Sequence, residues 1–510
     1  MTTSAVATQA TDAGLDRPRA TRLSDLLDRA AAEYPDSPAI TDHTGSWTYR
    51  ELDNRVRALA GWLRDQGIGR GDRVLVRLPN VREMSLALFG ITRIGAIFVP
   101  INPAMKEFHL RGVIADAEPA LILTDGRTAA EVGKLTDAPV HDLGEVSSLL
   151  ETHAHGTADA EPEDVGVLIY TSGSTAGPKG VVCPQAQMVF SADAIDAVLG
   201  HRQDDVVFCR VPLSFDYGLY QLIMACQAGA HVVLSGSRPD YKLLSDIAES
   251  GATVVPVVPS MGAMLVWLSE REQAVPAVRM ITSTGAALPQ ATIDGLRVAF
   301  PNAVVVRMYG TTECKRITVM PPAEEAEREG SVGPALPGTN VVIVDANGTP
   351  LPVGEIGEIT VTGPNVMAGY WRAPELSAKT FRWDAEAGVT RLHTGDYGRL
   401  DEDGYVYFDG RRDDMFKRKG VRMSTLEIEA AAMDVDGVRK AAVLPPTEDR
   451  DLTICVESDL GPGAVLRALA KRLESAKVPA VCHVFEQFPL TPNGKNSLKE
   501  LRALVESRSS

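Results

Sequence analysis

The run TSGSTAGPKG, Thr171 to Gly180, combines three glycines, four hydroxyl side chains and one lysine in ten residues. Such a segment suits the gripping of a polyphosphate. Backbone N–H groups and the hydroxyls of Thr171, Ser172, Ser174 and Thr175 can wrap the oxygens, Gly173 and Gly177 allow close approach, and Lys179 supplies a point charge. A Walker A loop would place Ser or Thr directly after Gly-Lys to open a helix and hold a metal, whereas Lys179 stands between Pro178 and Gly180. The spacing therefore predicts a different phosphate loop. Its bland alternative is an exposed Gly/Ser linker.

A loop of this kind needs rigid elements on either side. Short apolar runs alternate with amphipathic stretches along most of the chain, the pattern of α/β layers. Thr48 and Glu51 form a capping box, after which Leu52, Val56, Leu59, Ala60 and Leu63 recur at helical spacing until Gly67. Strands are predicted at Val74–Leu78, Val206–Leu213, His231–Leu234, Ala252–Pro259 and Ala303–Gly310. Several of them run into polar or glycine-rich loops, where open α/β sheets place their ligands. From Pro337 to Gly410 the texture changes to short alternating strands and turns, predicting a small β subdomain. About a hundred residues then remain, with one helical and one strand-like period, enough for a separate small α+β domain.

Composition narrows the partners. With 510 residues the chain is long enough for two or three compact units, and 45% hydrophobic with 23% charged content is ordinary for a globular protein. A formal charge of −16 speaks against a nucleic-acid surface, which needs basic stripes. Any polyphosphate must be held by a few aimed donors. The six cysteines carry no CxxC pair, which favours reduced thiols and a cytoplasmic location over disulfides or a zinc site. Neither an apolar leader nor a run approaching eighteen apolar residues is present, so no membrane partner is expected.

The loop, together with four distant segments in the same order, resembles the adenylate-forming superfamily of acyl- and aryl-CoA synthetases and peptide-synthetase adenylation domains. The four segments are YGTTE (Tyr309 to Glu313), HTGD (His393 to Asp396), GRRDDMFKRKG (Gly410 to Gly420) and PLTPNGK (Pro489 to Lys495). The resemblance implies an α/β fold: a large N-terminal domain of doubly wound sheets with a β subdomain, and a small mobile C-terminal lid. It places a flexible tail at 1–20, the adenylation domain at 21–410 with its subdomain at 337–410, the lid at 411–510 and a hinge at Asp413. It implies ATP and Mg2+ as cofactors. Tyr309 would stack on adenine, Gly285, Gly310 and Thr311 would border the nucleotide, and Thr312 would contact phosphate. Glu313 would hold the metal, Asp396 the ribose hydroxyls, Arg411 the nucleotide, and Lys495 the reacting carboxylate. Taken singly each has a bland alternative, Asp396 and Asp413 as turn residues, Lys495 as a solvated charge and Glu313 as a helix-start acid, and the joint occurrence of the motifs speaks against it. One departure is Ala176, where the superfamily usually has glycine. If that position needs φ > 0, strain of roughly 1 kcal/mol follows, and Gly177 can take over the turn.

The substrate is read from PLSFDYG, Pro212 to Gly218. Many acyl-CoA synthetases have a histidine in the matching segment, whereas amino-acid adenylation domains have Phe-Asp, with the aspartate on the substrate ammonium. Phe215 and Asp216 occupy these positions, and a buried carboxylate needs a cation. The alternative role for Asp216 is to cap the following helix. Leu219 is expected to line the pocket. Following segments look closer to stand-alone enzymes that activate β-amino acids for macrolactam pathways. Cys314, Lys315 and Arg316 replace the more usual apolar residues, and an inward Arg316 could clamp a second carboxylate, making the substrate an aspartate-like diacid. A Lys-Arg pair on a loop is more often a solvated face. The expected activity is ATP-dependent activation of an amino acid as its acyl-adenylate, then transfer to the thiol of a separate acyl carrier protein, since little chain remains after Lys495. The alternatives are an acyl- or aryl-CoA synthetase using free CoA, and a nucleotide-binding module that has lost catalysis.

Overall fold

The computed structural model describes residues 20–509 apart from 151–152, 172–177, 237–238, 272–276, 386–387, 412–414, 419–420, 448–449, 474, 476 and 491–495. The protein is mixed α/β. One sheet has eight strands in the order Thr318–Val319, Val304–Tyr309, Met280–Ser283, Val254–Val257, Val206–Cys209, His231–Leu234, Pro38–Asp42 and Gly45–Thr48. A second has six, ordered Val140–Asp142, Leu121–Thr124, Arg73–Arg77, Ile97–Pro100, Val165–Thr171 and Lys179–Pro184. Inner neighbours in both sheets run parallel, while Thr318–Val319, Gly45–Thr48 and Lys179–Pro184 join as antiparallel edges. The parallel strands are near-continuous apolar runs because helices cover both their faces.

The helix anticipated after Thr48 spans Tyr49–Asp65, and its capping box is made: Glu51 N–H donates to Thr48 Oγ1 at 3.2 Å and Thr48 N–H to Glu51 Oε2 at 2.8 Å. Leu52, Val56, Leu59 and Leu63 form its buried stripe. Gly67 then turns the chain at φ +79° into the strand Arg73–Arg77. Only glycine adopts that conformation without strain.

Antiparallel strands Ser331–Pro334, Tyr405–Arg411, Val389–Leu400, Gly357–Thr362 and Asn340–Val344 make a third sheet in that order, with Phe381–Asp384 paired to Val389–Leu400. Val341, Ile343, Ile359, Val361, Leu392 and Val406 form its core, and Tyr309 of the eight-stranded sheet belongs to the same cluster. That shared packing fixes the end of Val304–Tyr309 against the strand carrying Asp396. Near the C-terminus, Val438–Leu444, Thr453–Ser458 and Val481–Phe485 form a three-stranded sheet, with helices Thr425–Met433, Pro462–Leu469 and Leu498–Ser509. Its alternation is clean: Ala441 and Val443 point into one core with Ile428 and Val465, Ala442 and Leu444 into another with Leu501 and Val505. The six cysteines are buried, with no disulfide among the described residues. No described helix is long and apolar enough to cross a membrane.

Candidate active site

Thr171 ends one strand and Lys179 begins the next, and the two face each other across the hairpin. The intervening Ser172, Gly173, Ser174, Thr175 and Gly177, with Ala176, lie outside the described residues. The descending strand is held from its other side. Val182 N–H donates to Gly369 O at 2.9 Å, Ala368 N–H to Val182 O at 3.0 Å and Trp371 N–H to Gly180 O at 2.7 Å. Tyr370 therefore lies opposite Val181 in an antiparallel bridge.

Tyr309, Gly310, Thr311, Thr312 and Glu313 leave the carboxyl end of Val304–Tyr309, where α/β sheets carry their sites. A methyl group on Gly310 would sit 2.2 Å from Lys315 O and 2.7 Å from Arg316 Cα, so the tight return of the chain requires glycine. Ile317 N–H donates to Tyr309 O at 2.8 Å to close that return, and Lys315 takes φ +64° within it. A second segment supports the loop from behind: Met367 N–H donates to Glu313 O at 2.8 Å, and Asn365 Nδ2 to Arg316 O at 3.0 Å. Gly285 lies on the exposed turn after Met280–Ser283.

Two residues singled out for the nucleoside meet directly. The Tyr309 hydroxyl donates to Asp396 Oδ2 at 2.7 Å, and its ring lies 5.2 Å from that of Phe408 at 33°. Asp396 is 2% exposed and is opposite Arg411 in register, whose Nε is 3.2 Å from Oδ1. Burial, then the Asp396 carboxylate, raise the Tyr309 hydroxyl well above its ordinary value, so it stays protonated and donates. Asp413 and Lys495 lie outside the described residues.

Glu313 Oε1 accepts from the Tyr370 hydroxyl at 2.7 Å. Burial, followed by the Glu313 charge, raises that hydroxyl, which also remains a donor. Among the described residues no group of three or more His, Cys, Asp or Glu side chains could hold a metal ion. A single carboxylate is nonetheless the donor set expected for Mg2+, which takes one or two carboxylates and completes its shell with water and substrate phosphates. Glu313 fits that role.

Asp216 is the first residue of helix Asp216–Ala228, with Phe215 at the N-cap position and Leu219 fully buried behind it. Its carboxylate lies 2.8 Å from Lys315 Nζ and 3.4 Å from the Arg316 guanidinium. Two expectations change here. The Lys-Arg pair is no solvated face: Lys315 is 0% and Arg316 5% exposed. The cation that a buried Asp216 requires also comes from the protein itself. Lys315 Nζ reaches Cys183 Sγ at 3.1 Å, on the strand that descends from the phosphate loop. Burial disfavours the ammonium, yet Asp216 with Cys183 and Tyr220 outweighs it, and Lys315 is held charged. Arg316 also donates to Lys315 O at 2.8 Å and lies 5.1 Å from the Tyr217 ring, whose hydroxyl is bonded to Thr282. Its Nε, and Ser283 Oγ next to Thr282, are buried without hydrogen-bond partners among the described residues. Sequence reasoning named Lys315 without giving it a role and passed over Tyr370. The replacement of usually apolar residues was the signal at Lys315, but nothing local marked Tyr370.

The Thr171/Lys179 strand pair, the Tyr309–Asp396 hydrogen bond and Glu313 all lie at strand ends of a mixed α/β fold, where such sheets carry their ligands. Among known proteins, the AMP-binding enzyme family matches residues 27–371, more than half of the chain, and the protein belongs to that family. The solved structure of VinN is 49% identical, covers 76% of this chain and 98% of VinN, and superposes with a TM-score of 0.72; VinN has also been solved with L-aspartate and with 3-methylaspartate. ATP-bound MatB from Rhodopseudomonas palustris is 26% identical over 96% of this chain and 100% of MatB, with a TM-score of 0.85. Plipastatin synthase subunits D, C and A of Bacillus subtilis are 29%, 29% and 30% identical over 92%, 94% and 94% of this chain, which spans only 13%, 19% and 19% of their lengths.

Proposed function

We propose that the protein activates an amino diacid of the aspartate type, a β-amino acid with respect to one of its two carboxylates, as its acyl-adenylate, and passes the acyl group to the phosphopantetheine thiol of a separate carrier protein. The observation that carries this reading is the charge of the buried Asp216–Lys315–Arg316 cluster: one carboxylate faces two cations, leaving one positive charge in excess. A second substrate carboxylate would neutralise that excess. Arg316 Nε and Ser283 Oγ, buried with no hydrogen-bond partner among the described residues, would offer it donors. Asp216 would remain shared between Lys315 and the substrate ammonium. The VinN complexes with L-aspartate and 3-methylaspartate support the same substrate class.

In the proposed reaction a carboxylate oxygen attacks the α-phosphorus and pyrophosphate leaves along the Thr171–Lys179 hairpin. Both reactants are anionic, so positioning and charge screening supply most of the catalysis. Lys179 and Lys495 would screen, Tyr309, Asp396 and Arg411 would orient the nucleoside, and Thr312 would contact phosphate. Mg2+ on Glu313 would add Lewis-acid stabilisation. The mixed anhydride must be kept from water, a task we assign to a lid of residues 411–510 hinged at Asp413 on a domain of residues 21–410.

A second reading has its own support: because Asp216 already has protein cations, a dicarboxylate without an amine would also fit, with CoA as acceptor. One screen decides. Pyrophosphate release is measured with aspartate, 3-methylaspartate, succinate, β-alanine, and aryl and fatty acids, followed by thioester formation with CoA or carrier protein. Aspartate-type acids well ahead of succinate, with a carrier protein as the better acceptor, is the expected result. Succinate at or above aspartate would replace this reading with the CoA-ligase one.

A further inference from the structure

We infer that Tyr370 is a positioning residue for the metal carboxylate, fixing Glu313 relative to the strand Lys179–Pro184. The inference rests on the reading of Glu313 as the Mg2+ ligand. Three observations converge on Tyr370. Its hydroxyl donates to Glu313 Oε1 at 2.7 Å. Its backbone is zipped onto the strand leaving the phosphate loop, through the bridge to Val181 and the flanking bonds of Ala368, Gly369 and Trp371 with Val182 and Gly180. Its N–H donates to Ser377 Oγ at 2.9 Å, and its ring meets Phe381 edge-on at 5.5 Å, so backbone and ring are each anchored by a contact other than Glu313.

The physical consequence follows from the number of contacts available to the carboxylate. A lone glutamate on a turn has rotamer freedom, and a metal that takes most of its ligands from phosphates and water gains little from a wandering oxygen. A hydrogen bond on Oε1 fixes the carboxylate plane and leaves Oε2 for the metal. Because Tyr370 is carried by the same backbone ladder as Gly180 and Val181, its hydroxyl holds the Glu313 carboxylate at one distance from the strand Lys179–Pro184. Outer-shell partners of this kind change metal affinity by about 10- to 100-fold when removed.

The test uses the full-length protein, Mn2+ as a paramagnetic probe and an ATP analogue with a non-hydrolysable α,β bond. Tyr370→Phe keeps the ring and every backbone bond. Mn2+ affinity in the presence of the analogue, read by electron paramagnetic resonance, should weaken by about 10- to 100-fold, while analogue binding without divalent ion stays at the wild-type value. Glu313→Gln should also weaken Mn2+, and adding Tyr370→Phe to it should cost nothing more. Equal loss of nucleotide binding without metal would mark Tyr370 as merely structural and overturn the inference, as would unchanged Mn2+ affinity in Tyr370→Phe or additive losses in the double variant. Intact Mn2+ affinity in Glu313→Gln would instead remove the metal assignment on which the inference stands.

Discussion

Replacing Asp216 by asparagine preserves volume and removes one charge, and the geometry separates its two consequences. The first is structural. Lys315 and Arg316 share this carboxylate at 2.8 and 3.4 Å while almost fully buried. Removing one member of a buried ionic group costs roughly 3 to 5 kcal/mol, and the lower end is expected because Lys315 keeps Cys183 and Arg316 keeps the Lys315 carbonyl. That exceeds the loss of about 1 kcal/mol that a helix-capping role would give. The second consequence concerns specificity. If the substrate ammonium also rests on Asp216, its loss weakens transition-state binding by roughly 2 to 5 kcal/mol for amino substrates alone, and each 1.4 kcal/mol is tenfold in kcat/KM. Pyrophosphate release with aspartate and with its deaminated counterpart succinate should therefore show the aspartate-to-succinate ratio falling at least tenfold, alongside a lower midpoint of thermal unfolding. Should the variant prove too unstable to assay, Asp216→Asn combined with Lys315→Met removes one cation with the anion and restores a folded protein for the same ratio. Stability lost with the ratio unchanged would refute the amine site and leave Asp216 as an internal counterion.

Lys495→Ala should slow adenylate formation by roughly 10² to 10³ while leaving thioester formation from supplied acyl-adenylate near wild type, since one preorganised charge is lost from the first transition state only; equal losses in both half-reactions would make it a structural lysine. Gly310→Ala forces a methyl group to within 2.2 Å of the Lys315 carbonyl, and overpacking against backbone should cost about 1 to 3 kcal/mol in urea unfolding and displace Glu313 enough to lower activity more than tenfold. Asp205 gives a pH signature: burial pushes its carboxyl up, but Arg279 at 2.7 Å and Thr253 at 2.7 Å outweigh burial and its folded value is lowered. Its contribution is therefore complete above the usual aspartate value of about 3.9 and fades as pH falls through the lower folded value. The stability gap between wild type and Asp205→Asn should be full at pH 7 and shrink below about pH 4, whereas a constant gap would show that the carboxylate charge contributes nothing.

What could be read in the sequence was what short stretches of chain decide for themselves. The helix after Thr48 was legible because its cap, its apolar stripe and its closing glycine all lie within twenty residues. The strands before the phosphate loop and before Tyr309 were legible because each is a short apolar run ending in polar chemistry. The Tyr309–Asp396 pair was legible only as two separate motifs; that they share a hydrogen bond depends on the antiparallel sheet packing against the end of Val304–Tyr309, a contact across 87 residues. Lys315 resisted reading for a related reason. A lysine in sequence looks solvated, and its burial is tolerable only because Asp216, 99 residues earlier, and Cys183, 132 residues earlier, converge on it. The same convergence alters the argument for an amino substrate. A buried aspartate by itself asks for a cation, and the sequence offered the substrate as its source; once Lys315 and Arg316 are in place the cluster instead asks for an anion. Under the proposed function, an aspartate-type substrate would answer with both groups at once: its second carboxylate would take the excess positive charge, its ammonium would restore it, and the cluster would keep the single net charge it carries in the structure.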